Sequence, residues 1–151
     1  MFSLTFRVRL VGVLTLALVG VGHASPPASA LDAYAGAATN ATNTRRVSHD
    51  LNQLRFNTCL ERMARKQALL MAATGKMFHQ DLGPVQDLCG MGYVGENVAY
   101  GYPTGGALVK AWMRSPGHRA NILNTHYRLM GIGAVKKNGT WWVAQVFGRK
   151  A

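Results

Sequence analysis

At 151 residues the chain has room for one globular domain and its ends. Its 17 lysines and arginines outnumber 6 acidic residues and give a formal net charge of +11, so this is a basic protein. Such a charge favours anionic partners, namely lipids and cell-surface polymers. Nucleic acid is excluded as the expected partner, because neither zinc-finger spacing nor an RNA-binding motif accompanies the charge. The alternative is that the charge serves solubility alone.

The first segment is typical of a secretory signal peptide. Arg7 and Arg9 form a basic start, and residues 10–21 form an apolar core that is too short for a membrane span. We expect a signal peptide over residues 1–24, with cleavage after Ala24 or alternatively after Ala30, and a folded domain over residues 31–151. An uncleaved anchor is the competing interpretation. No later segment is apolar enough to span a bilayer, so we expect a secreted or periplasmic protein with no stable span after cleavage.

The two cysteines, Cys59 and Cys89, would reach an oxidising compartment after export, and a disulfide bond is the natural prediction. The chain-entropy argument gives such a crosslink about 3–4 kcal/mol. Two buried free thiols are the alternative.

Two helices are predicted in the first half of the domain. The first covers residues 31–46, although its Thr- and Asn-rich interior has poor helix propensity; residues 47–56 connect it to the second. The second helix begins after Asn57 and ends at Thr74-Gly75. Its predicted buried stripe consists of Leu60, Met63, Ala64, Gln67, Leu70 and Met71. Gly83-Pro84 is predicted to form a turn.

The second half predicts a loop over residues 100–106, a helix over 107–114 and a short helix that starts at Ser115-Pro116. Two apolar runs then flank Asn138-Gly139, the strongest short hairpin signal. Because the second run is almost continuously apolar, we expect its strand to be buried on both faces. The fold class is therefore predicted to be α/β, a three-layer α-β-α sandwich.

Three blocks occur in a characteristic order: Gly-Glu-Asn-Val-Ala at residues 95–99, Trp-Met-Arg-Ser-Pro-Gly-His-Arg-Ala-Asn-Ile-Leu at 112–123, and the hairpin at 130–148. Together they resemble the CAP superfamily (SCP domain) of cysteine-rich secretory, antigen 5 and pathogenesis-related proteins, and most closely its bacterial secreted branch. The resemblance covers residues 31–148. It implies the same three-layer sandwich.

In that family two histidines and two acidic residues line a central cavity. The resemblance places His79, Glu96 and His118 at three of these positions, and Ser115 stands where a glutamate is usual. We expect Glu96 to lie in a turn and Ser115 to cap the short helix through its hydroxyl. We expect Asn97 to border the cavity and to hold a loop by hydrogen bonds to its backbone. His49 and His126 match no motif position and are predicted to be surface residues.

His79 and His118 could bind Zn²⁺ or another divalent cation, with Glu96 orienting a histidine or acting as a general base. A buried polar network with no ligand is an equally simple interpretation. Because one carboxylate is missing, we expect a non-enzymatic binding module for a lipid, a cell-surface polymer or a protein. The alternative is a metal-assisted hydrolase acting on peptide or cell-wall substrates. The oligomeric state stays open.

Overall fold

The structure is a computed structural model that describes residues 28–151; the predicted signal peptide over residues 1–24 lies outside them. The elements in chain order are α1 (Ala28–Val47), β1 (Arg55–Phe56), α2 (Thr58–Thr74), α3 (Gly83–Cys89), β2 (Met91–Tyr100), α4 (Gly105–Trp112), α5 (Pro116–Ile122), β3 (Leu129–Lys137) and β4 (Thr140–Lys150). No helix in this described range has the length and apolar character that crossing a membrane requires.

The four strands form one sheet in the order β1-β3-β4-β2. β1 runs parallel to β3, while the β3–β4 and β4–β2 pairs are antiparallel. The predicted hairpin is confirmed: Lys137 pairs with Thr140, and Asn138 and Gly139 both have positive φ, at 49° and 79°. Two successive positive φ values define the tight turn that matches the natural twist of a hairpin.

The sheet is covered on both faces, as the apolar β4 run predicts. Trp141, Val143 and Phe147 pack into one core with α1, α4 and α5. The alternate residues Trp142 and Val146 pack into a second core with α2 and α3. Because side chains alternate across a strand, one strand contributes to both cores, and the three-layer α-β-α sandwich is confirmed.

Helix α2 packs very closely on β3. A Cβ added to Gly131 or Gly133 would overlap the α2 backbone at Glu61 or Arg65, so glycine is required at both positions. The predicted ends of α2 are confirmed: the Asn57 side chain accepts from the Leu60 N–H at 3.0 Å, and Gly75 ends the helix in the left-handed conformation. These contacts fix α2 over the hairpin.

Four local predictions are corrected. Leu70 is 46% exposed rather than part of the buried stripe. Residues 83–89 form helix α3, which starts with Gly83-Pro84, rather than a simple turn. Glu96 lies inside strand β2 and not in a turn. The helix predicted from residue 107 begins at Gly105, because the Thr104 side chain accepts from the Ala107 N–H and caps it.

Helix α1 runs through its Thr- and Asn-rich interior because those side chains have tertiary partners. The Thr42 hydroxyl accepts from the Gln145 amide at 2.9 Å, and the Asn43 side chain bonds both backbone polar groups of Leu54. Tertiary contacts therefore override the low propensity. The predicted disulfide is also confirmed: Cys59 at the start of α2 is bonded to Cys89 at the end of α3.

Candidate functional site

The buried carboxylate of Glu96 anchors the candidate site. Its Oε1 accepts from the Gln80 side chain at 2.6 Å, and its Oε2 accepts from the Gln80 backbone N–H at 3.2 Å and lies 2.9 Å from His79 Nδ1. Burial raises the pKa of Glu96, and its hydrogen bonds offset only part of that rise. The Glu96 side chain is 1% exposed and that of His79 is 59% exposed. Glu96 therefore orients the exposed imidazole of His79. Its carboxylate can accept few further hydrogen bonds.

Behind this pair lies a buried amide cluster. The Asn97 side chain is fully buried and donates to the His118 carbonyl at 3.2 Å and to the Gln145 side chain at 3.4 Å. Asn121 donates to the Asn97 side-chain oxygen at 2.9 Å and to the Glu96 carbonyl at 3.0 Å. The cluster therefore ties α5, which carries His118, to β2 and β4.

A cleft of about 220 Å³ lies between the end of β2, α4 and α5. His118 and Ser115 contribute polar groups to a lining that is otherwise mostly apolar and aromatic. The lining comprises Met77, Val98, Ala99, Tyr100, Tyr102, Ala111, Trp112, Ser115 and His118. Burial, and secondly the charge of His79, lower the pKa of His118, so its imidazole is neutral at neutral pH.

Trp112 adds an unusual feature to this lining. It is 2% exposed, and within the described residues its indole N–H is the buried side-chain polar group that has no hydrogen-bond partner. Unpaired buried donors are uncommon in folded proteins. Because that nitrogen is itself buried, the unpaired donor does not offer a contact to a molecule in the cleft.

Ser115 occupies the N-cap position of α5 through its backbone, whose carbonyl accepts from the Arg119 N–H at 2.8 Å. Its hydroxyl makes no capping hydrogen bond, so that part of the prediction is wrong. Across the described residues, no hydrogen bond joins Ser115 to His118 either. A serine without a base in contact is a poor nucleophile.

The predicted site residues therefore fall into different environments. His118 and Ser115 line the cleft, His79 and Glu96 form a bonded pair, and Asn97 lies in the buried amide cluster rather than in the cleft lining. The sequence prediction missed Gln80, which makes two of the three contacts to Glu96. It also missed Gln145. Gln145 is the one amide side chain in the apolar run of β4. That position in the sequence could have indicated a buried hydrogen-bonding role.

The donor set for a metal is small. In the part of the chain that the structure describes, no three His, Cys, Asp or Glu side chains converge on one point. His79 and His118 are the residues that would hold a divalent cation, since Glu96 already bonds Gln80 and His79. Such a site would depend on water for the rest of its coordination, unlike a closed structural zinc site.

Comparison with known proteins identifies the family. Residues 39–147 match the Cysteine-rich secretory protein family, CAP. The chain belongs to this family. It is 34% identical to the uncharacterized protein YkwD of Bacillus subtilis (strain 168) over 128 residues, which are 80% of this chain and 49% of YkwD. The chain thus spans about half the length of that relative.

Solved structures agree with this assignment. An extracellular protein containing a SCP domain from Bacillus anthracis str. Ames is 28% identical, with a TM-score of 0.66 over 72% of this chain and 38% of that one. A cysteine-rich secretory protein from Staphylococcus aureus subsp. aureus Mu50 has a TM-score of 0.68 at 24% identity, over 82% of this chain and 40% of that one. The second likeness supports the fold alone.

Proposed function

We propose that this CAP domain is an exported binding module that holds a ligand group in the cleft beside His118 and carries out no reaction on it. The observation that carries the proposal is the hydrogen bonding of the Glu96 carboxylate. Both of its oxygens are engaged by Gln80 and His79. A general base must accept a proton from substrate or water, and Glu96 would have to abandon existing bonds to do so. Ser115 stands where the family usually has a second acidic residue. No carboxylate at that position can therefore act as the base in place of Glu96.

The cleft also limits what can bind. Its volume of about 220 Å³ is below the roughly 300–1,000 Å³ of pockets that enclose a drug-sized ligand. It suits one end group or side chain of a lipid, a cell-surface polymer or a protein, with the rest of the ligand outside. The apolar lining favours an apolar group.

Export is part of the proposal. The basic start and short apolar core of residues 1–24 support it, as does the similarity to a Bacillus anthracis protein described as extracellular. The positive net charge of the chain suits a location beside anionic envelope components.

The experiment fills the cleft by one substitution and compares it with a matched surface substitution. Ala111→Phe places a ring in the cleft, and Ala37→Phe adds the same ring to an exposed position on α1 as a control. Soluble wall fragments and short-chain lysolipids are titrated separately into ¹⁵N-labelled protein. We expect one class to shift the amide signals of Ser115 and His118 in wild type and Ala37→Phe, but not in Ala111→Phe. Equal shifts in both variants, or none with either class, would contradict binding in the cleft.

The metal-assisted hydrolase is the second candidate, and the Glu96–His79 contact is what favours it. A carboxylate bonded to one imidazole nitrogen orients the other for metal binding, and His118 is neutral at neutral pH. A divalent cation would supply Lewis acidity at this site. Calorimetric titration with Zn²⁺ compares wild type, His118→Ala and the surface control His126→Ala. Zn²⁺-dependent release of peptide or wall fragments that only His118→Ala loses would replace the binding proposal with this one.

A further inference from the structure

Several large apolar side chains are exposed together at one end of the molecule. Leu70, Met77 and Tyr100 are 46%, 50% and 52% exposed, and Phe78 is 38% exposed. The Gln67 side chain donates to the Phe78 carbonyl and holds this loop against α2. Met77 and Tyr100 also line the cleft beside His118, so the cleft opens at the same end.

Lysines lie among these apolar side chains. Lys76 directly precedes Met77, and Lys137 near the hairpin tip donates to the Ala73 carbonyl at 3.3 Å, which places it beside the last turn of α2. The nearest acid along the chain is Asp81, whose side chain accepts from a backbone N–H. Glu96 is buried, and the sequence contains no acidic residue after it. This end therefore combines apolar and positively charged groups with little negative charge.

We propose that this end docks on an anionic lipid bilayer. The docking end is defined as Leu70, Lys76, Met77, Phe78, Tyr100 and Lys137. Its apolar side chains would enter the boundary between headgroups and acyl chains, while its lysines contact anionic headgroups. A wall polymer could neutralise the lysines, but it offers no hydrocarbon phase to receive Met77 and Phe78. The charge and the apolar side chains together favour lipid.

This inference rests on the proposed function and extends it: the cleft would open toward the surface of a bilayer. It does not require the cleft to be filled, so the two proposals can fail separately. Docking would hold Met77 and Tyr100 at the membrane interface. A ligand group could then pass from the bilayer into the cleft without crossing bulk water.

The expected effects follow from the two kinds of contact. Each lysine near an anionic membrane is worth about 1 kcal/mol, which is roughly a fivefold change in partition coefficient. Replacing both Met77 and Phe78 by serine should lower partition by about tenfold or more, because exposed apolar groups lose their transfer into hydrocarbon. The charge contribution should shrink when salt rises from about 0.1 M to about 1 M, as the Debye length falls from roughly 10 Å to 3 Å.

The test is co-sedimentation with phosphatidylglycerol–phosphatidylcholine vesicles and with phosphatidylcholine vesicles alone. The variants are Met77→Ser/Phe78→Ser and Lys76→Gln/Lys137→Gln. Exposed residues elsewhere supply matched controls: Phe56→Ser/Leu88→Ser for apolar area and Lys110→Gln/Lys150→Gln for charge. We expect wild type and both controls to pellet with the anionic vesicles at low salt. Both docking-end variants should bind at least about tenfold less.

Three results would overturn the inference. Equal losses in the charge variant and its control, with Met77→Ser/Phe78→Ser unchanged, would show diffuse electrostatic adsorption. Tighter binding to a soluble anionic polysaccharide than to vesicles would assign this end to wall polymer. Ala111→Phe separates the proposals: it should retain vesicle binding even though its cleft is filled, and a loss there would show that binding occurs through the cleft alone.

Discussion

Glu96 offers the sharpest test of how the site is held together. We expect Glu96→Gln to leave stability within about 1 kcal/mol of wild type, and Glu96→Ala to lose about 3 kcal/mol or more. Glutamine keeps an acceptor oxygen for the Gln80 backbone N–H and for His79. Its amide can donate to the Gln80 side chain once that side chain flips. Alanine instead leaves the Gln80 groups without their acceptor.

The magnitudes come from the contacts in the structure. Three donors converge on Glu96, from Gln80 twice and from His79 once. Leaving a buried donor unsatisfied costs about 1–3 kcal/mol. The His79 side chain is 59% exposed and can bond water instead, so its loss adds little. The two Gln80 contacts and the space left by the carboxylate therefore account for most of the expected cost.

The pH dependence separates the two variants further. Because burial raises the pKa of Glu96 above its ordinary 4.5, the folded protein binds this proton more tightly than the unfolded chain does. Glu96 therefore lowers stability as the pH rises through 4.5 and on to its raised folded pKa. Glutamine does not titrate, so the stability of Glu96→Gln relative to wild type should increase over that interval.

Urea unfolding followed by circular dichroism, at several pH values, measures these differences. If Glu96→Gln is as destabilised at neutral pH as Glu96→Ala, the reasoning is refuted. The result would mean that a charged Glu96–His79 ion pair, rather than hydrogen-bond geometry, holds the site.

Three further predictions test other parts of the structure. Gly133→Ala should cost about 3 kcal/mol in urea unfolding, because its Cβ overlaps the backbone of α2; a loss below about 0.5 kcal/mol would contradict that close approach. His79→Gln should raise the pKa of His118, measured by NMR, but leave it below 6.5 because burial is the larger cause; no change would remove His79 as a neighbouring charge. Replacing Cys59 and Cys89 together by alanine should cost about 3–4 kcal/mol for a crosslink that spans 30 positions; unchanged thermal stability would show that the bond contributes nothing.

Local signals in the sequence predicted much of the fold. The Asn57 cap, the Gly75 stop and the Asn138-Gly139 turn are each set by residues within a few positions, so they are readable without tertiary structure. The almost continuously apolar run of β4 likewise indicated a sheet buried on both faces. The family motifs added the residues His79, Glu96 and His118, which no periodicity would have selected.

Strand β2 could not be predicted in the same way. Its sequence contains glycines, Glu96 and Asn97, which all disfavour strands. Glu96 and Asn97 are accepted there because Gln80, Asn121 and Gln145 supply hydrogen-bond partners from distant parts of the chain. Those partners are separated from β2 by up to 48 positions, so the stabilising contacts exist only in the folded protein.

The placement of His118 also depends on contacts between distant parts of the chain. Helix α5 has seven residues, too few to be stable on its own. It is held by Asn97, which bonds the His118 carbonyl, and by Arg46, whose buried guanidinium donates to the Ile122 carbonyl at 2.8 Å and the Asn124 carbonyl at 2.9 Å. Arg46 thus replaces the water that the last carbonyls of an exposed helix would bind. Buried hydrogen bonds from α1 and β2 therefore set the position of the cleft histidine.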